Sequence, residues 1–234
     1  MNRPRSVIVA LAALAAGGGW SAAPAIAQPS ATSKVNGSID IAAGEHAGEL
    51  STVNGSIHIG ENAVVGAAHT VNGGITLEPH ATAAELQTVN GSIDLRAGAR
   101  VSGQVHTVNG KLTLADGAEV SGSLQNVNGL IRVAAAHVAA GIDTVTGGIE
   151  LGPNAHVAGG IHVERDSGWF GWFASWFGLD SENAVPRVII GPGSVVGGTL
   201  RFERPVKLYV SERATIGNVA GATPVKYSGD QPAQ

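Results

Sequence analysis

The sequence predicts an all-β fold: a single-chain parallel β-helix, or three-sided β-solenoid, of about nine coils of 18–19 residues, interrupted by one aromatic-rich insertion. Three observations lead there. The unit Val35-Asn36-Gly37-Ser38-Ile39-Asp40-Ile41 returns at Val53–Ile59, Val71–Leu77, Val89–Leu95, Val108–Leu114, Val127–Val133 and, with Thr146 in place of asparagine, Val145–Leu151. Its starts lie 18, 18, 18, 19, 19 and 18 residues apart. A fixed period of this size marks one supersecondary unit stacked on copies of itself. Within each period, short apolar alternations such as Ile93/Leu95, Ala99/Val101 and Val105 leading to Val108 read as strands, with glycines between them where the chain must turn. No window carries the 3.6-residue face of a helix long enough to cover a sheet, which excludes α/β and leucine-rich horseshoe folds.

Taken in order, residues 1–27 read as a secretory signal peptide. Met1-Asn2-Arg3-Pro4-Arg5 is basic, Ser6 to Ala16 is almost wholly apolar, and Ala25-Ile26-Ala27 offers small residues for cleavage before Gln28. Gly17-Gly18-Gly19 and Pro24 break the apolar run too early for a comfortable membrane span. The expected location is therefore exported: the periplasm first, the cell surface or the medium as alternatives. The chain has no cysteine, so disulfides, thiolate–metal sites and thiol chemistry are excluded. Residues 28–34 form a short polar leader.

Residues 35–163 are coils one to seven. Each strand should pair with its counterpart one coil away, at about 4.8 Å. The interior should hold stacked columns, one from Ile39 to Ile149 and the next from Ile41 to Leu151. Asn-Gly is also a hairpin signal, but an antiparallel meander does not need the same side chain at every eighteenth or nineteenth position. Stacking does. Asn36, Asn54, Asn72, Asn90, Asn109 and Asn128 are thus expected to form a structural ladder, each amide bonding the next coil. The glycines that follow, Gly37 to Gly129, are expected at positive φ.

Residues 164–187 stand where an eighth Val-Asn-Gly corner belongs. Six of the chain's eight Trp and Phe residues fall between 169 and 177, which makes this stretch the main candidate for docking. They are Trp169, Phe170, Trp172, Phe173, Trp176 and Phe177. Three roles suit them: a lid folded over the solenoid, a contact with self or an envelope protein, or an interfacial membrane anchor. Residues 188–221 resume the pattern as coils eight and nine, and residues 222–234, with Pro224 and Pro232, are the exit and tail.

Charge narrows the partners. After loss of residues 1–27 the chain has twelve basic and eighteen acidic residues, a formal charge of −6, and the excess lies in the repeats. Nucleic acid, which needs a basic face, is not an expected partner. The eight histidines read as solvated: His69 and His106 hold equivalent slots two coils apart, with Gln87 between, too far to share a metal. Asp40, Asp94 and Glu150 share one outward column but stand three coils apart, so no pair offers the roughly 5–9 Å separation of glycosidase carboxylates. No catalytic residue, cofactor or metal site is expected, and a carbohydrate-active enzyme is the remote alternative.

The segments Gly98-Ala99-Arg100-Val101-Ser102-Gly103-Gln104-Val105 and Gly117-Ala118-Glu119-Val120-Ser121-Gly122-Ser123-Leu124 resemble the bactofilin type of polymer-forming bacterial scaffold. The Val-Asn-Gly-Ser-Ile-x-Ile units are similar to those of repetitive adhesin-like proteins of bacterial envelopes. The resemblance covers residues 35–219 apart from 164–187 and implies a β-helix that polymerises or adheres. It carries no catalytic residues. The expected signal peptide, residues 1–27, is a departure, since bactofilin-like proteins typically act inside the cell.

Overall fold

The computed structural model describes residues 30–165 and 185–232. Among them every regular element is a strand, and every pairing is parallel. Residues 1–27, expected as a signal peptide, and Trp169 to Phe177 lie outside the described residues.

Three faces wind around one core. The first face is a ten-stranded sheet running from Ile39–Ile41 through Leu112–Leu114 to Val225–Tyr227. The second is built from two-residue strands such as His46–Ala47, Arg100–Val101 and His156–Val157. The third runs from Thr32–Asn36 through Val105–Asn109 to Val219–Ala220. In coils two and three the second and third faces merge into the continuous strands Val64–Asn72 and Thr82–Asn90.

The registers follow the repeat. Ile39 pairs with Ile57, Ile57 with Ile75, and Leu112 with Ile131, so the aliphatic columns expected of the interior are continuous and buried. Stacking branched aliphatic side chains one coil apart removes their apolar area from water. The columns pass straight through the break at 164–187. Ile149 pairs with Val188 and Ile161 with Leu200, across gaps of 39 residues, so the extra residues leave and return at one corner.

Two details differ from expectation. First, a tenth first-face strand, Val225–Tyr227, lies in the stretch read as tail and pairs with Tyr209–Ser211. Second, the corner glycines are not selected by positive φ alone. Gly37 and Gly129 have φ of 111° and 131°, whereas Gly55, Gly91 and Gly110 lie outside the left-handed region. Their reason is proximity: a Cβ on Gly55, Gly91, Gly110 or Gly129 would overlap the carbonyl oxygen of the corner glycine one coil earlier. Only glycine lets the backbones stack that closely.

Positive φ is instead used at a different turn, just after the first face. Gly98 and Gly117 adopt 68° and 71° there, and Asn62, His80 and Asn154 take 57°, 60° and 57° in the equivalent slot. His80 is thereby explained as a turn residue.

Candidate functional site

The corner ladder exists for most of its length. Asn54 Nδ2 donates to Asn36 Oδ1 at 3.0 Å, and the chain of amide bonds continues through Asn72 and Asn90 to Asn109 at 3.0–3.1 Å. Asn128 shares the register but makes no such bond, and Asn109 Oδ1 is left buried without a donor. A second ladder runs beside the first. Thr52, Thr70, Thr88 and Thr107 are buried, and each Oγ1 donates to the carbonyl of the corner glycine (Gly37, Gly55, Gly73 and Gly91) at 2.9–3.1 Å. Threonine at a fixed place in every Thr-Val-Asn-Gly corner was the visible sign of it. Both ladders tie coil to coil, which makes them parts of the scaffold.

The outward columns are the surfaces a partner would meet. On the first face the column reads Asp40, His58, Thr76, Asp94, Thr113, Arg132, Glu150, Ile189, Tyr209. Arg132 Nε and Nη2 both reach Glu150 Oε2, at 2.9 and 2.7 Å, and the Arg187 guanidinium lies 4.9 Å over the Tyr209 ring. The third face places His69, Gln87 and His106 in consecutive rungs, as the spacing required, and sets Asp143, His162 and Arg201 further along.

His162 gathers charge from three coils. Its Nδ1 is 3.9 Å from Asp143 and 3.8 Å from Glu164, and its Nε2 is 3.3 Å from Glu203, which also meets Arg201 at 2.8 Å. Nε2 is buried without the alignment of a full hydrogen bond. Burial pushes the Asp143 carboxyl above the usual range, against the pull of His162. The His162 ring, then the Arg165 backbone, hold half-buried Glu203 below it. The insertion after residue 163 hid the Glu203 partnership from sequence spacing.

The second face carries a pairing that sequence reading missed. His137 and His156 are register partners one coil apart, with ring centroids 4.9 Å apart and planes 19° from parallel. Their separation of 19 residues, one repeat, was the available signal. Among the described residues no three His, Asp or Glu side chains are grouped to hold a metal ion.

The tail builds the concave feature. Tyr227 Oη donates to the Ile190 carbonyl at 3.2 Å, and Asp230 pairs with Arg213 at 3.1 Å. Burial raises the Tyr227 pKa, which keeps that hydroxyl a donor. Between this returned tail and the first face lies a cleft of about 670 Å³ with Arg132, Glu150, Ile189 and Arg187 on one wall and Tyr227 and Asp230 on the other. Asp116 also lines it, but Glu150 is engaged by Arg132, so the two carboxylates do not form a free pair.

No helix among the described residues is long and apolar enough to cross a membrane. The chain matches no family model, no curated protein and no solved structure.

Proposed function

We propose that this chain is a non-enzymatic, exported scaffold rod of the bacterial envelope that associates with its own copies end to end. The observation that carries the reading is the form of the two ends. Among the described residues, the first strand of the stack, Thr32–Asn36, lies on the third face and pairs only with Leu50–Asn54, and the last, Val225–Tyr227, lies on the first face and pairs only with Lys207–Ser211. A second copy set on the exit end would bring its Thr32–Asn36 in the order of a continuing coil. Core-packing Ile216 and Val219 at that end are only half-buried, and unpaired strand edges invite pairing. Lys226 puts a charge on the first-face edge, which limits pairing there and leaves it to the second and third faces. Kinship with bactofilin-like polymer formers or adhesin-like envelope proteins fits such a rod.

The test uses mature protein from Gln28, the start expected from N-terminal sequencing after export. Light scattering and electron microscopy should show concentration-dependent linear particles, shortened to monomers by Ile216→Lys with Val219→Lys. A wild type that stays monomeric at every concentration, or particles that ignore both substitutions, would overturn the reading.

The alternative is an adhesin-like or membrane-surface module that docks through Trp169, Phe170, Trp172, Phe173, Trp176 and Phe177, and the concentration of aromatics in one insertion favours it. Flotation with lipid vesicles, abolished when Trp169, Trp172 and Trp176 become serine, would establish it in place of the first.

A further inference from the structure

We infer that His137 and His156 form a two-imidazole site for a late first-row divalent transition metal ion, Zn²⁺, Ni²⁺ or Cu²⁺, on the second face of the rod. The inference is independent of the scaffold reading. Register places the two residues directly over one another in adjacent coils, on strands His137–Val138 and His156–Val157. The inward Val138 and Val157 are fully buried, so the backbone that holds both rings is anchored in the core. His156 is exposed and His137 half-exposed, which leaves the site open to an ion from solvent.

Geometry then favours chelation. Two nitrogens that each bind one metal at about 2.0–2.1 Å stand roughly 3.0–3.4 Å apart. The two ring centroids already lie 4.9 Å apart, so side-chain rotation is the movement that chelation asks of the pair. Imidazole nitrogen selects the borderline ions Zn²⁺, Ni²⁺ and Cu²⁺ over Mg²⁺ or Ca²⁺, which prefer oxygen. Solvent completes the coordination sphere.

Among the described residues, the column that holds the pair places no cation next to it. Along the same column the order is Arg100, Glu119, His137, His156, Val195. Arg100, the cation of that column, is two coils from His137 and sits 3.6 Å from Glu119. The other histidines lack this arrangement. His69 and His106 are separated by Gln87, His58 faces Glu78, and His162 stands among carboxylates.

The experiment is calorimetric titration of tag-free mature protein with Zn²⁺ and Ni²⁺, with Mg²⁺ as the negative ion. The expected result is one saturable site for Zn²⁺ and Ni²⁺ and none for Mg²⁺. His137→Gln and His156→Gln should each weaken binding by about tenfold or more, as loss of one of two ligand bonds requires. His162→Gln and His58→Gln should leave it unchanged. A thermal shift on adding Zn²⁺, present in wild type and absent in the two site variants, reports the same site without relying on heats. All four positions are outward-facing, and retained β-sheet circular dichroism certifies the variants as folded. No saturable Zn²⁺ binding, binding that survives both site substitutions, or binding abolished by His162→Gln would each overturn the inference.

Discussion

Asn126 is the place where the corner repeat breaks its own rule. Coils above and below put threonine in that slot, and Asn126 does the same work with its Nδ2, which donates to the Gly110 carbonyl at 3.0 Å. Its Oδ1, however, is buried without a donor, and so is that of Asn109 at the end of the amide ladder beside it. A buried acceptor without a partner costs about 1–3 kcal/mol. Asn126→Thr restores the hydroxyl–carbonyl bond found four times elsewhere and removes the orphan oxygen. The variant should gain about 1 kcal/mol in urea unfolding with an unchanged m-value, and a loss of stability would refute this account. The same neighbourhood shows what repetition can and cannot disclose. Period alone places six asparagines in one column, and five of them bond. Whether the sixth amide reaches its neighbour is decided by local side-chain geometry at the corner, and no spacing rule carries that. Glycine identity was equally legible and its cause was not, since close backbone approach and positive φ both demand the same residue.

At the scale of a strand column, the third face concentrates what electrostatic tension the rod has. Asp143 lies half-buried, register-paired with His162, and burial holds its carboxyl above the usual range. A carboxyl whose folded pKa is raised works against the folded state once it is ionised. Its penalty is complete above the folded value and disappears below the unfolded one, about 3.9. Asp143→Asn should therefore raise the thermal midpoint at neutral pH. The advantage should shrink as pH falls through the folded pKa and vanish below about pH 3.9. An advantage that persists at that acidity would show that packing, not charge, is responsible. Glu203 has the opposite sign: its pKa is lowered, so its favourable contact with His162 is lost as pH falls. Column membership was readable wherever coils follow without interruption, as with His69, Gln87 and His106. It failed across the insertion, where Glu203 joins His162 from 41 residues away. The His137–His156 stack was missed for a different reason. Both residues lie on two-residue strands, the weakest periodic signal in the coil, although one repeat length separates them.

The described coils form a one-dimensional stack, because among the described residues each coil pairs only with the coil before and the coil after. Stability should then be highest where both neighbours are present and fall toward each end. The exit end has a further peculiarity that explains why its last strand escaped sequence reading. Val225–Tyr227 pairs one residue out of phase with the aliphatic rule, so that Val210 of the core meets Lys226, and Ser211 meets Tyr227. A one-residue slip exchanges the faces of a strand, and it turns Tyr227 to the tail side while Lys226 ends the aliphatic column. Native-state hydrogen exchange tests the stack directly. Amides of the central rungs Ile93–Leu95 and Leu112–Leu114 should be the slowest, and those of Ile39–Ile41 and Lys207–Ser211 among the fastest of the first face. Leu112→Ala, at a fully buried central site, should cost about 2–5 kcal/mol and speed exchange in the coils on both sides. Removing residues 225–234 should speed exchange only in the last coils and leave Leu112 untouched. Uniform acceleration after that truncation would mean that the rod unfolds as one cooperative body, and the ends could not then fray or join independently of its middle.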